Sequence, residues 1–162
     1  MTDVVDAGTA LRRPIKRKEA ARLRHGQTHW TDNIQLPGTV HMAILRSPLA
    51  HAKITHLDVS GALAMPNVVA AFGAAELGEL NSSVPCVWPV TDDMVAPDFP
   101  ALAKDTVHHV GDCVAVVLAT EAVSAADALE AMSVDYEPLQ AVVNMESAIS
   151  PGSTLVHEDK GT

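Results

Sequence analysis

The sequence predicts an α+β fold on a mixed sheet. Three features carry that expectation: short runs of alternating apolar and polar residues between residues 39 and 73, an uninterrupted apolar run at 113–119 after Gly111-Asp112 in VGDCVAVVLA, and a helical period leading into SVDYEPL at 133–139. Hairpin-like strands come first and a single strand–helix–strand crossover follows, which separates this pattern from a doubly wound one.

The elements follow in order. Residues 1–33 mix charged and small residues without a sustained period and read as an extended basic arm with one helical turn around Lys18 to Leu23; residues 34–162 form the folded domain. Leu36-Pro37-Gly38 sets the central positions of a type II turn. The strand TVHMAILRS then aligns Val40, Met42 and Ile44 on one face. Ser47-Pro48 interrupts it, and HAKITHLDVS resumes at 51–60 with Ala52 and Ile54 in one phase and Leu57 and Val59 in the other. That phase change predicts a bulge near Thr55.

SGALAMP at 60–66 predicts a short helix capped by Ser60 and closed by Pro66, and NVVAAFG a buried strand. Between Gly78 and Lys104 the prolines at 85, 89, 97 and 100 break every period, so this stretch reads as an excursion. Gly111-Asp112 makes a turn, glycine supplying the positive φ and aspartate a hydrogen bond to the following backbone. After the apolar strand, Thr120 is placed to cap a helix running to Met132, with Ala122, Ala125, Ala126, Leu129 and Met132 on its inner face and Glu121 and Asp127 outside. The next strand, SVDYEPL, completes a right-handed βαβ crossover near residues 113–137. QAVVNMESAIS holds a short strand and a helical turn, and PGSTLVHEDKGT is irregular.

At 162 residues and 48% hydrophobic content, the chain is a globular domain that buries about 70% of its unfolded surface. Seven basic residues (Arg12, Arg13, Lys16, Arg17, Lys18, Arg22, Arg24) face only Asp3, Asp6 and Glu19 in the first 24 positions, so the arm carries +4; four basic and seventeen acidic residues leave −13 on the rest. An acidic body repels phosphate, and two Phe, two Trp and one Tyr are too few rings for a single-strand stacking platform. Nucleic acid is excluded on those grounds, and the arm is assigned to acidic protein surface, of this protein or of a partner subunit. No apolar run approaches a membrane span and no secretory h-region opens the chain, so a cytoplasmic protein without a membrane partner is expected. Cys86 and Cys113, without CxxC spacing, read as buried thiols in a reducing compartment.

The residue types that carry chemistry converge on no motif. His51 and His56, and His108 and His109, point to opposite faces of their strands, and His157-Glu158-Asp159 lies in coil without ligand spacing. Structural or surface histidine is the expectation. Asp92-Asp93 and Glu158-Asp159 read as solvated loop charge, and Ser47, Ser60, Ser82 and Ser83 lack a nucleophile elbow. No catalytic, cofactor-binding or metal residue is assigned.

Three blocks, read together, resemble one family: RKEAARLRHGQTHWTDNIQLPGTVHMAILRSPLAHAKI, VGDCVAVVLATEAVSAADALEAMSVDYEPLQAVV and PGSTLVHEDKGT. They are similar to the start of the large subunit of the molybdenum hydroxylases, the family of xanthine dehydrogenase, aldehyde oxidase and aerobic carbon monoxide dehydrogenase. The resembling part is the α/β-hammerhead domain, and the RKEAARL arm with Gly26 and TDNI looks most like the bacterial carbon monoxide dehydrogenase branch. Ala20, Trp30, Asn33 and Cys113 depart from the usual pattern of arm and turn. The resemblance implies oxidation at a molybdopterin-bound molybdenum, with iron–sulfur clusters and FAD in partner subunits, and places the pterin-holding, base-supplying and substrate-selecting segments beyond this module. It implies a scaffold: an amino-terminal domain or split subunit that contributes to assembly, binds no cofactor alone, and docks Arg12, Arg13, Arg17 and Lys18 on acidic surface elsewhere. An independent interaction module that kept the fold is the alternative. The end at HEDKGT favours a fragment or split polypeptide.

Overall fold

The computed structural model describes residues 16–88 and 90–160. The chain divides into two compact units, Met1–Pro37 and Gly38–Thr162.

In the first unit, helix α1 (Ala20–Arg24) begins two residues later than the turn expected at Lys18. It ends where Gly26 takes a φ of 65° and Gln27 N–H donates to the Arg22 carbonyl. A 3₁₀ turn at Thr31–Asn33 follows, closed by the Trp30 N–H donating to Asn33 Oδ1 at 2.9 Å. Arg12 and Arg13 lie outside the described residues.

The second unit contains β1 (His41–Arg46), β2 (Ala52–Asp58), α2 (Ser60–Leu63), β3 (Val68–Gly73), α3 (Ala74–Leu77), β4 (Thr106–Val107), β5 (Cys113–Ala119), α4 (Ala122–Glu130), β6 (Ser133–Pro138) and α5 (Met145–Ala148). These strands make two three-stranded sheets, ordered β1-β5-β3 and β4-β2-β6. The α+β class holds, and so does the strand–helix–strand unit, but the mixed sheet is corrected: every pairing among these strands is antiparallel. The reason is edge occupancy. β5 is bonded on one side by β1 and on the other by β3, so β6 cannot join it and pairs with β2 instead. The crossover therefore carries the chain from one sheet to the other.

β5 reads as one apolar run because both of its faces are covered. Val114 packs with Ala52, Ala103 and Val107 beneath the second sheet, while Val117 packs with Ala62, Ala71 and Ala128 under the helices. On α4 the inner face is rotated from the expected one. Ala125 and Ala128 are buried and Leu129 and Met132 pack beside them, whereas Ala122 and Ala126 are exposed. Nor does Thr120 cap this helix: Glu121 occupies the N-cap and no side chain caps there. α2 is corrected likewise, since Asp58 Oδ1, two residues upstream, accepts the Ser60 N–H at 2.8 Å. Hydrogen bonding from Ser60, its hydroxyl first and this backbone N–H second, holds the Asp58 carboxyl below the usual carboxylate range.

The bulge appears where the phase change placed it. The β2–β6 register slips between Ile54 and His56, opposite Tyr136 and Asp135, and Thr55 Oγ1 donates to the Asp135 carbonyl. On β1 only Ile44 of the expected inner trio is partly buried, and Met42 is 63% exposed. The short strand expected after Pro138 is reduced to one bond, Leu139 N–H to the His51 carbonyl, before Asn144 caps α5. Among the described residues no helix is long and apolar enough to cross a membrane.

Candidate functional site

A concavity of the second unit with a volume of about 640 Å³ lies between the base of the 78–104 excursion, the turn before β5 and the segment ending at Lys160. Asn81 builds its floor. Only 2% exposed, it donates from Nδ2 to the Leu102 carbonyl at 2.8 Å and accepts the Leu102 N–H on Oδ1 at 2.9 Å. A bridge between Ser83 and Pro100 continues the pinch, with Phe99 N–H donating to Ser83 Oγ and Val84 N–H to the Phe99 carbonyl. The excursion is thus a loop on a short stalk.

The turn before β5 makes the wall. Gly111 adopts a φ of 90°, as a turn glycine should. Asp112 bonds backwards instead of forwards, its Oδ2 accepting the His108 N–H at 3.0 Å and lying 3.7 Å from His109 Nδ1. Buried Ser47 exchanges backbone bonds with Asp112 and Gly111, and Arg46 Nη1 reaches both the Gly111 carbonyl at 2.8 Å and Cys113 Sγ at 3.2 Å. Burial, first among its causes, pushes the Tyr136 phenol above its ordinary value, against a hydrogen bond to Ser47.

The adjacent histidines, expected on a strand, lie in the turn after β4 and diverge there. His109 stacks on Phe99, with ring centroids 6.1 Å apart, while His108 turns to the other side. There the fold joins residues that spacing kept apart: His108 stacks on His157 at 4.4 Å and on His51 at 6.1 Å. His51 is fixed by its Nδ1 against the Gln140 carbonyl at 3.0 Å. Desolvation, then His157, lowers the His108 imidazole from the ordinary 6.5, while Asp112 opposes the shift. Beyond His157, Lys160 sits 3.1 Å from Asp159 and 3.6 Å from Asp98.

The remaining sequence candidates separate. Asp92, Asp93 and Glu158 are exposed, Ser82 and Ser83 line the concavity, and Ser60 begins α2. The expectation of two buried thiols is corrected, because Cys86 is exposed and Cys113 only half-buried; both are free. Cys86 rides on the excursion, whose prolines remove it from any strand. Among the described residues no three His, Cys, Asp or Glu side chains are placed to hold a metal ion. The histidine rings show why: stacked 18° from parallel, their in-plane nitrogen lone pairs run side by side and do not converge.

Residues 25–140 match the family described as aldehyde oxidase and xanthine dehydrogenase, a/b hammerhead domain. The chain belongs to that family. This hammerhead domain is 38% identical over 143 residues to the carbon monoxide dehydrogenase large chain of Hydrogenophaga pseudoflava, covering 88% of the chain and 17% of that protein. To the nicotine 6-hydroxylase large subunit of Paenarthrobacter nicotinovorans it is 32% identical, covering 85% and 17% respectively. Among solved structures it is similar to quinoline 2-oxidoreductase from Pseudomonas putida 86, with a TM-score of 0.79 at 33% identity, covering 90% of the chain and 18% of that one. It is also similar to a Cu,Mo-containing carbon monoxide dehydrogenase, with a TM-score of 0.76 at 36% identity over 90% of the chain and 18% of that one. The hammerhead domain thus spans about 17% of the length of the curated relatives quoted, and the expected resemblance to the carbon monoxide dehydrogenase branch stands.

Proposed function

We propose that this hammerhead domain is an assembly module of a molybdenum hydroxylase, acting as the amino-terminal part or a split piece of its large subunit. One observation carries the reading: alignment along 88% of the chain to a carbon monoxide dehydrogenase large chain of which it makes up 17%. The surface supports it. On the excursion Val87 and Trp88 are 91% and 83% exposed, and Val90 is 79% exposed, apolar side chains gathered on one loop as a partner-facing surface would have them.

In this reading the complete enzyme oxidises its substrate at a molybdopterin-bound molybdenum, and electrons pass to iron–sulfur and FAD subunits. The side chains described here do not fit a metal centre, for the geometric reason above, so no catalytic step is assigned to them. Their work is to hold the excursion in place for neighbouring polypeptide, and the free thiols suit a cytoplasmic setting. Co-expression of the complementary large-subunit polypeptide and the two redox subunits, with and without this chain, tests the proposal. Stable, molybdenum-loaded enzyme is expected only with it; equal yield and activity without it would refute the assembly role.

The basic arm makes a second expectation within the same assembly. Arg17 and Lys18 are exposed in the first unit, and with Arg12 and Arg13 they are proposed to dock on acidic surface of the partner polypeptide. Raising ionic strength from about 0.1 M to about 0.5 M shortens the screening length well below the span of such contacts, so affinity should drop by about tenfold. Reversing Arg17 and Lys18 to Glu together should abolish most of that salt dependence. Affinity that ignores salt excludes the docking.

A further inference from the structure

We propose that the His51–His108–His157 stack is an acid-sensitive latch that holds the 153–160 segment over the concavity and releases it when the stack becomes doubly protonated. The geometry separates a fixed half from a movable half. His51 precedes β2, is 6% exposed and is tied to Gln140, and His108 is tied through its N–H to Asp112. His157 stands on irregular chain tethered otherwise by Thr154 Oγ1 to Gln140 Oε1, Ser153 Oγ to the Ala148 carbonyl, Ser153 N–H to the Ser150 carbonyl, and Lys160 to Asp98. Neutral imidazoles stack face to face without penalty, but two imidazolium rings 4.4 Å apart repel, and the ring on the movable segment is the one that leaves.

The groups around the stack restrict the response to the histidines. Asp112 faces His108 from the turn before β5 and favours its charge; His51 and His157 face it from the other two sides and, with desolvation, outweigh that carboxylate. His109 contributes a further small repulsion. At the far end of the segment, hydrogen bonding to its neighbour moves Asp159 further below, and Lys160 further above, the range in which imidazoles titrate. Lys160 therefore keeps its charge on the Asp98 tether while the stack changes charge. Because the closed state lowers the His108 pKa, closure is fully favoured above the ordinary imidazole value of 6.5 and weakens progressively as pH falls below it.

Amide hydrogen exchange on the 162-residue chain, normalised for intrinsic rates, reads the latch directly. Between about pH 7.5 and about pH 5 the protection of the Lys160 amide, bonded to the His157 carbonyl, should fall severalfold as the segment opens. Protection of Val114 and Val117 in β5 should persist, and its simultaneous loss would overturn the proposal by showing global unfolding. His108→Phe keeps a stacking ring without a titrating proton and should hold the segment closed at about pH 5; opening with an unchanged profile would overturn it. Should that variant fail to fold, ring-proton titration of the unaltered chain decides: the His108 midpoint and the opening midpoint coincide if the latch is real, and separate midpoints refute it.

Discussion

Replacing Asn81 with Ala is expected to destabilise the folded chain by about 2–5 kcal/mol, because it removes two hydrogen bonds and leaves the Leu102 N–H and carbonyl buried without partners. Leu102 is 3% exposed and the adjacent Ala103, bonded to the Cys113 carbonyl, belongs to the core cluster of Ala52, Val107 and Val114. The loss is therefore transmitted to β5, whose Val114 packs in the same cluster. Domains of this size have about 5–15 kcal/mol in total, so the urea midpoint should fall by a large fraction of its value. Asn81→Asp gives the sharper signature. One oxygen still accepts the Leu102 N–H, but the other then faces the Leu102 carbonyl, acceptor against acceptor, in a buried position. The folded state would raise the pKa of the introduced carboxyl, so this variant is most stable at acid pH, where the protonated group donates, and weakens as pH rises through that value. A midpoint within experimental scatter of the unaltered chain for both variants would show that the stalk at Ser83 and Pro100 carries the loop without the clamp.

That clamp also marks the limit of what the sequence discloses. The strands were legible because alternation is local, and even the bulge at Thr55 shows as a phase change within eight residues of chain. Which strands pair is a different kind of question. VGDCVAVVLA announces a strand covered on both faces, but only the long-range pairing with β1 and β3 shows that its two edges are filled and that β6 must leave for the other sheet. The helix face was misjudged for a compositional reason. Ala122, Ala125, Ala126 and Ala128 fall on both the buried and the exposed sides of α4, and alanine is small enough for either, so periodicity does not distinguish them. The site was least legible of all. Its members meet through a side-chain clamp between residues 21 apart in sequence and a ring stack drawn from positions 51, 108 and 157, and neither arrangement has a period or a motif spacing.

Gly61→Ala separates intrinsic helix preference from packing by the sign of its effect. On propensity alone, exchanging Gly for Ala within a helix stabilises by up to about 1 kcal/mol. Here Gly61 is the second residue of α2, and a Cβ at that position would be driven into the carbonyl oxygen of Ala131 at the end of α4, inside the distance that real contacts allow. The obstacle is backbone and cannot rotate away. Relief requires α2 to move off α4, which opens the cluster formed by Ala62, Ala71, Val117 and Ala128. Overpacking of this kind costs about 1–3 kcal/mol, and a rigid backbone neighbour puts the substitution toward the upper part of that range. Net destabilisation of about 2 kcal/mol is expected, with Gly61→Val worse because its branched side chain adds volume on the same side. Gly73 supplies the control. A Cβ there meets the Cδ2 of Leu57, the free end of a flexible side chain, so Gly73→Ala should cost distinctly less than Gly61→Ala. Denaturation midpoints measured for both variants against the unaltered chain decide the matter, and a Gly61→Ala protein more stable than its parent would refute close helix–helix approach as the reason for glycine at this position.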